Sequence, residues 1–384
     1  MRFLLSSVIC LAGVALAKPV AEKREVDLST LSFISKNSSL PKIALYSTGG
    51  TIISASSYGP LDNINYGGAP GPTPAQFVNN NTEVLNLAQI GVLSFPAPGG
   101  SAGINSSLFL NVSQYANKQL CAEGSDLVGA VVFHGTNTMI ETAIGLDLTV
   151  NCSKPVIFAA AMRPDTYISP DGRSNFYQAV AAAVSPLSRD RGAMIAMNDR
   201  LTSVYYSTKT NANTPDTFKA LEQGFLGNFL GGQPHYYFGA SQPTGKHWFD
   251  TSNITDLPPV TILYGHQGVD AKLLYNAVEN GAKGLVLIGP GPGALAPAVS
   301  AAAANLTAQG IPIVDAMRPV SGVSVPPPVP GAIIYSGYFD AEHARVQLQL
   351  AIGSGYSYDQ IREVFEADLR SAIYSGYNRV VYGL

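Results

Sequence analysis

The stretch Lys42-Ile43-Ala44-Leu45-Tyr46-Ser47-Thr48-Gly49-Gly50-Thr51 decides the architecture. Its opening is a short, mostly apolar run of the kind that makes a buried strand. The glycines that follow permit backbone angles closed to other residues, so the chain turns sharply and leaves Thr51 at the strand's carboxyl end. Val128 to Phe133 repeats the pattern and ends in His134-Gly135-Thr136-Asn137-Thr138. Pro155 to Ala159 and Ala193 to Met197 read as further buried strands, with helical periodicity at Thr138 to Leu148 and Asn175 to Ala183. This alternation predicts an α/β fold with a mostly parallel sheet flanked by helices, and ligands beyond the carboxyl ends of the strands.

Periodicity lapses between Gln233 and Pro259 and resumes in a second series: strands near Val260 to Tyr264, Gly284 to Ile288, Ile311 to Val314 and Ala332 to Tyr335, then helices at Ala341 to Ile352 and Tyr358 to Arg370. We expect a larger N-terminal α/β domain over residues 41–235, a linker over 236–259 and a smaller C-terminal α/β domain over 260–384. Residues 1–17 read as a secretion signal, with Arg2, an apolar run from Phe3 to Leu16 and the small-residue ending Ala15-Leu16-Ala17. That run is too short to span a bilayer. Residues 18–40, with Lys23-Arg24, read as a pro-segment or flexible N-terminus, and the expected location is extracellular or cell-wall associated.

With Cys10 in the signal, Cys121 and Cys152 remain. In an oxidising compartment an even pair is most simply a disulfide, closing a loop of about thirty residues for roughly 3 kcal/mol; two buried free thiols are the alternative. Asn-X-Ser/Thr sequons at Asn37, Asn80, Asn105, Asn111, Asn151, Asn253 and Asn305 suit a secreted glycoprotein.

A composition 46% hydrophobic and 13% charged favours extensive burial, and a net charge of −3 carries no basic stripe for nucleic acid. The five histidines, His134, His235, His247, His266 and His343, are scattered, so no metal site is expected. Gly289-Pro290-Gly291-Pro292-Gly293 follows a strand, but prolines inside the turn lack the N–H donors that a phosphate cradle needs.

The residues left for chemistry stand after strands: Thr51, Thr136 and, in Ser207-Thr208-Lys209-Thr210-Asn211, a lysine among small hydroxylated side chains. A partly desolvated lysine loses its proton readily and serves as a base. His134 is a tempting base as well, but no acidic partner stands at a recognisable spacing, and a structural role suits it better.

At these residues the chain resembles the bacterial-type L-asparaginase family, in its secreted type II branch, whose pattern is TGGTI near the start and HGTDTMEETA further on. The likeness extends through Ala160-Ala161-Met162-Arg163-Pro164, Asp171-Gly172, Met197-Asn198-Asp199, Thr217-Phe218-Lys219 and Ala344-Arg345-Val346-Gln347-Leu348-Gln349-Leu350. It implies hydrolysis of L-asparagine to L-aspartate and ammonia through a threonyl acyl-enzyme, with no cofactor, in a homotetramer. By resemblance the catalytic residues are Thr51, the loop residue Tyr66, Thr136 and Lys209. The substrate-binding groups are Ser101, Asn137 and the turns at Gly50 and Gly135.

The chain departs from the family where the substrate's amino-acid backbone is recognised. The family's HGTD reads HGTN, so the carboxylate that holds the α-ammonium is the neutral Asn137. Gly100-Ser101-Ala102 keeps a serine but loses the glutamine beside it, and Pro292 stands where the family has a substrate-facing asparagine. The acid lent by a neighbouring subunit has no counterpart, since no Asp or Glu occurs from Arg318 to Tyr335. These departures leave open an amidase whose substrate lacks a free α-ammonium, or a binding protein with little turnover.

Overall fold

The computed structural model describes residues 28–97 and 99–380. The expected signal and Lys23-Arg24 lie outside them. A nine-stranded sheet forms the larger body, in the order Ser32–Ile34, Gln89–Ser94, Lys42–Ser47, Leu127–Phe133, Val156–Ala159, Ala193–Met197, Arg200–Ser203, Gly227–Leu230 and Gln233–Tyr236. The run from Gln89–Ser94 to Ala193–Met197 is parallel, and antiparallel strands flank it on both sides. A four-stranded parallel sheet, Val260–Tyr264, Gly284–Gly289, Ile313–Met317 and Ile334–Tyr335, forms the smaller body.

The central strands are continuously apolar because both faces of the sheet are covered. Ile43 and Leu45 enter one core with Phe77, Phe176 and Val180, from the helices Pro74–Asn80 and Gly172–Val184. Ala44 and Tyr46, alternate residues of the same strand, enter the other with Phe109, Ile144 and Leu146, from Ser106–Gln119 and Met139–Asp147. That second core also takes Ala344, Leu348 and Leu350 from the helix Ala341–Gly353, so the two bodies share apolar packing. Ser106 Oγ donates to Gln349 Oε1 at 3.0 Å across the same junction.

Two stretches set apart in the sequence are integrated into the fold. Within 18–40, Ser32–Ile34 pairs antiparallel with Gln89–Ser94 as an edge strand. Gln233–Tyr236 completes the far edge of the large sheet, and the chain after it is pinned: Phe249 is fully buried, its N–H donates to Leu148 O at 2.8 Å, and Lys246 pairs with Asp147 at 2.7 Å. Of the aromatic residues there, Phe249 and Tyr236 pack against the cores, while Tyr237, Phe238 and Trp248 stay exposed.

Cys121 and Cys152 are disulfide-bonded, with Cα atoms 5.4 Å apart. Each lies just before a strand, Leu127–Phe133 and Val156–Ala159, at the sheet edge opposite His134 and Gly135. Replacing both cysteines by serine is therefore expected to lower unfolding free energy by roughly 3–4 kcal/mol while leaving activity of the folded protein intact. Urea unfolding beside turnover at low temperature checks this. All seven sequon asparagines are solvent-exposed.

Candidate active site

Thr48 fastens the first turn to the neighbouring strand end, its N–H and its hydroxyl both donating to Phe133 O, at 2.9 and 3.0 Å. The chain then passes through Gly50 with φ +105°, into the short 3-10 turn Thr51–Ile53. A methyl group on Gly50 would stand 2.5 Å from Gly135 N and 2.6 Å from Gly135 Cα, so the two glycine turns touch backbone to backbone. On its other side Gly135 faces Ser101, whose Oγ would lie 2.5 Å from an added methyl. Thr138 Oγ1 fixes that neighbour by donating to Ser101 O at 2.5 Å.

Thr51, Thr136 and Ser101 are thereby gathered around one point beyond the sheet's carboxyl edge, each buried but for 7–8% of its surface. Gly50→Ala sets a methyl against backbone and a left-handed φ, with no flexible side chain to give way. It is expected to cost about 2 kcal/mol or more in stability and about 100-fold in activity, read from the thermal midpoint and kcat.

Lys209 reaches the site from the strand Thr208–Lys209, which pairs with Phe218–Lys219. Its Nζ donates to Thr136 Oγ1 at 3.0 Å. No carboxylate forms an ion pair with Lys209 among the described residues, and burial lowers its pKa from the ordinary lysine value. A lysine so placed can give up a proton and accept one from Thr136.

Tyr66 begins the strand Tyr66–Ala69, opposite Ser56, on the loop that follows Thr51. It is partly buried, and its hydroxyl makes no hydrogen bond to either threonine. Asn137 is exposed at the rim. His134 is fully buried: Nδ1 donates to Gly135 O at 2.8 Å, which leaves Nε2 to accept from Thr142 Oγ1 at 2.8 Å. Burial pushes its pKa down to about 4, so it is a neutral strut for the turn.

The Arg163 and Asp171 segment, noted in the sequence only as a motif, supports the Thr51 loop. Asp171 accepts the N–H groups of Met162 and Arg163 and the amide of Asn175. Asp165 N then donates to Ser54 O at 3.0 Å, Thr166 Oγ1 accepts from Ser56 N at 2.9 Å, and Ile168 N donates to Pro60 O at 2.7 Å. Within the loop Asp62 accepts from Ser56 Oγ and from the N–H groups of Ile64 and Asn65, which hold its carboxyl below the usual range. Among the described residues no cluster of His, Cys, Asp or Glu is arranged to hold a metal ion.

A large α/β body joined to a smaller one thus carries candidate hydroxyl nucleophiles on two adjoining glycine turns, with a lysine base beside them. Residues 42–242 match the family model described as asparaginase, N-terminal, and residues 259–365 match the glutaminase/asparaginase C-terminal domain. The chain belongs to the asparaginase family of amidohydrolases. It is 41% identical over 346 residues to L-asparaginase 2-1 of Saccharomyces cerevisiae, spanning 89% of this chain and 92% of that one. It is 34% identical over 338 residues to L-asparaginase 2 of Bacillus subtilis, spanning 86% and 88%. The crystal structure of a probable cytoplasmic L-asparaginase from Campylobacter jejuni superposes with a TM-score of 0.77 at 30% identity, over 85% of this chain and 99% of that one.

Proposed function

We propose that this protein is a secreted amidase that hydrolyses L-asparagine to L-aspartate and ammonia, with Thr51 as the nucleophile. Thr51 Oγ1 attacks the side-chain amide carbon, and its proton passes by way of Tyr66 to the departing nitrogen. The C–N bond breaks, ammonia leaves and an ester remains on Thr51. Water then adds to the ester, giving its proton to the Thr136–Lys209 pair; the bond to Thr51 breaks, its hydroxyl is restored and aspartate departs. Backbone N–H groups of the glycine turns are the donors available to the oxyanion. The observation that carries this reading is the 3.0 Å bond from Lys209 Nζ to Thr136 Oγ1, beside the turn that holds Thr51.

A second reading concerns the substrate. Among the described residues no carboxylate forms an ion pair with Lys209, and Asn137 at the rim is neutral and exposed. Such a site suits an amide that brings a carboxylate but no free α-ammonium, as in N-acylated asparagine or an asparagine with its amino group in a peptide bond. Export, glycosylation at the exposed sequons and assembly into a tetramer complete the proposal.

Ammonia release by the purified mature protein, from L-asparagine and from N-acetylasparagine side by side, tests both readings. An electrophilic amide analogue followed by peptide mass mapping tests the nucleophile, and the adduct belongs on Thr51. Preference for the blocked amide selects the second reading. Ligand binding with no turnover of either and no adduct rejects an active amidase.

A further inference from the structure

Outside the site, a titratable group is buried at the junction between the two bodies. His343, on the helix Ala341–Gly353, is only 2% exposed. Its Nδ1 lies 2.7 Å from Asp340 Oδ1 and its Nε2 lies 3.0 Å from Val204 O. Asp340 Oδ1 also accepts the His343 backbone N–H at 3.0 Å, so it is the acceptor in both contacts. A carbonyl oxygen cannot donate either. Both ring nitrogens must therefore carry protons, and His343 is a buried imidazolium.

Its two partners border the segment that delivers Lys209. Val204 opens the turn Val204–Tyr206, and Thr208, next to Lys209 in the chain, lines the same cavity as Asp340 and His343. The path runs from the imidazolium past Asp340 and Thr208 to Lys209, and from there to Thr136.

We propose that the His343–Asp340 ion pair, held by the C-terminal body, positions Lys209 against Thr136 and makes turnover depend on the charge of His343. The proposal rests on Thr136 and Lys209 being the catalytic pair. His343 acts through Asp340 and Thr208 and touches no reacting atom, so it is a positioning residue. The other charged groups facing the pair are Glu141, from the helix Met139–Asp147, and Glu342 on its own helix, and Arg345 interacts with both of these glutamates. Tyr205, Tyr206 and Tyr338 flank it, and Phe339 stacks on the ring with centroids 5.4 Å apart. A cavity between the two bodies reaches Asp340 and His343, which gives protons a route in.

Burial works against the charged ring, but the Asp340 carboxylate, its hydrogen bond and the Val204 carbonyl outweigh it and hold the His343 pKa above its ordinary value. With the folded value raised, the clamp is fully present below the ordinary histidine range and is lost as pH rises through the raised value. Lys209 needs the opposite change, since it gains basic character as pH rises. Turnover should rise as Lys209 deprotonates and fall as His343 does.

The test uses the full mature protein and the His343→Gln and His343→Lys variants. His343→Gln is expected to lower kcat about tenfold at unchanged KM and to abolish the alkaline fall. His343→Lys keeps a buried cation, and should restore kcat and move the fall to higher pH. Two readouts need no turnover. Nitrogen-15 NMR of the wild type should show one of the five histidines doubly protonated at pH 7 with a raised pKa, its signal absent in both variants. Competitive acetylation should report a changed Lys209 reactivity in His343→Gln.

A neutral His343 at pH 7 overturns the proposal, as does an unchanged Lys209 reactivity in a folded His343→Gln. Should His343→Gln not fold, the wild-type NMR titration and His343→Lys decide it. If the wild type cleaves no amide while NMR and acetylation give the expected coupling, the catalytic reading fails and the positioning of Lys209 stands.

Discussion

Lys209→Met is expected to leave the protein folded and to lower kcat for amide hydrolysis about 10³-fold, with Thr51→Ala lowering it about 10⁴-fold or more. The two losses have different causes. Thr51 supplies the atom that becomes acylated, and no hydroxyl remains at that turn in the alanine variant. Lys209 supplies only the base, and methionine keeps much of its length and its apolar stem without the proton. Unfolding is not the source of either loss. Lys209 makes one side-chain hydrogen bond, at 3.0 Å, and burial already disfavours its charge, so a neutral side chain removes a desolvation cost along with the bond.

Turnover should be measured beside thermal unfolding for each variant. In the wild type, activity should climb with pH through the lowered Lys209 pKa, and this limb should be missing in Lys209→Met. Full activity in Thr51→Ala would reject the nucleophile, and full activity in Lys209→Met would reject the base.

Asn137→Asp is expected to raise kcat/KM for L-asparagine by about 10- to 100-fold and to leave N-acetylasparagine unimproved. A charge-assisted hydrogen bond to the substrate's α-ammonium is worth about 1.5–3 kcal/mol, which sets the size of the gain. Two effects compete. The new carboxylate favours the ammonium of the substrate, but beside Thr136 it also favours the charged form of Lys209 and so raises the pH at which the base acts. The gain should therefore appear chiefly in KM, with the rising limb of the pH profile displaced to the alkaline side. Asn137 is exposed, so the added charge stays hydrated and the fold should tolerate it. Equal improvement on the blocked amide would show that the carboxylate does not act on the α-ammonium.

Much of this was legible along the chain. The strands Lys42–Ser47, Leu127–Phe133, Val156–Ala159 and Ala193–Met197 announce themselves as apolar runs because each is covered on both faces. The edge strands Ser32–Ile34 and Gln233–Tyr236 do not. They are short, carry exposed residues and include Pro234, so nothing in their periodicity separates them from loop. The site divides in the same way. Thr51, Thr136 and Lys209 could be named from strand endings and motif order, but the support of the Thr51 loop by Asp171 and its neighbours could not, although Asp171-Gly172 was visible as a motif. The role of His134 as a neutral strut needed its two ring contacts.

By itself the sequence determined the alternating α/β elements, the glycine turns at Gly50 and Gly135, and a neutral side chain, Asn137, at position 137. Each of these is local, set by side-chain size, backbone freedom or charge at a single place. Only the tertiary structure decided that Gly50 meets Gly135, that Lys209 bonds Thr136 and that His343 grips Val204 and Asp340 at once. Apart from His343 and Asp340, which stand three residues apart at the helix start, those contacts join residues 73 to 139 positions apart, and they exist because two cores bury the sheet and carry the helix Ala341–Gly353 against it, a packing that no local pattern encodes.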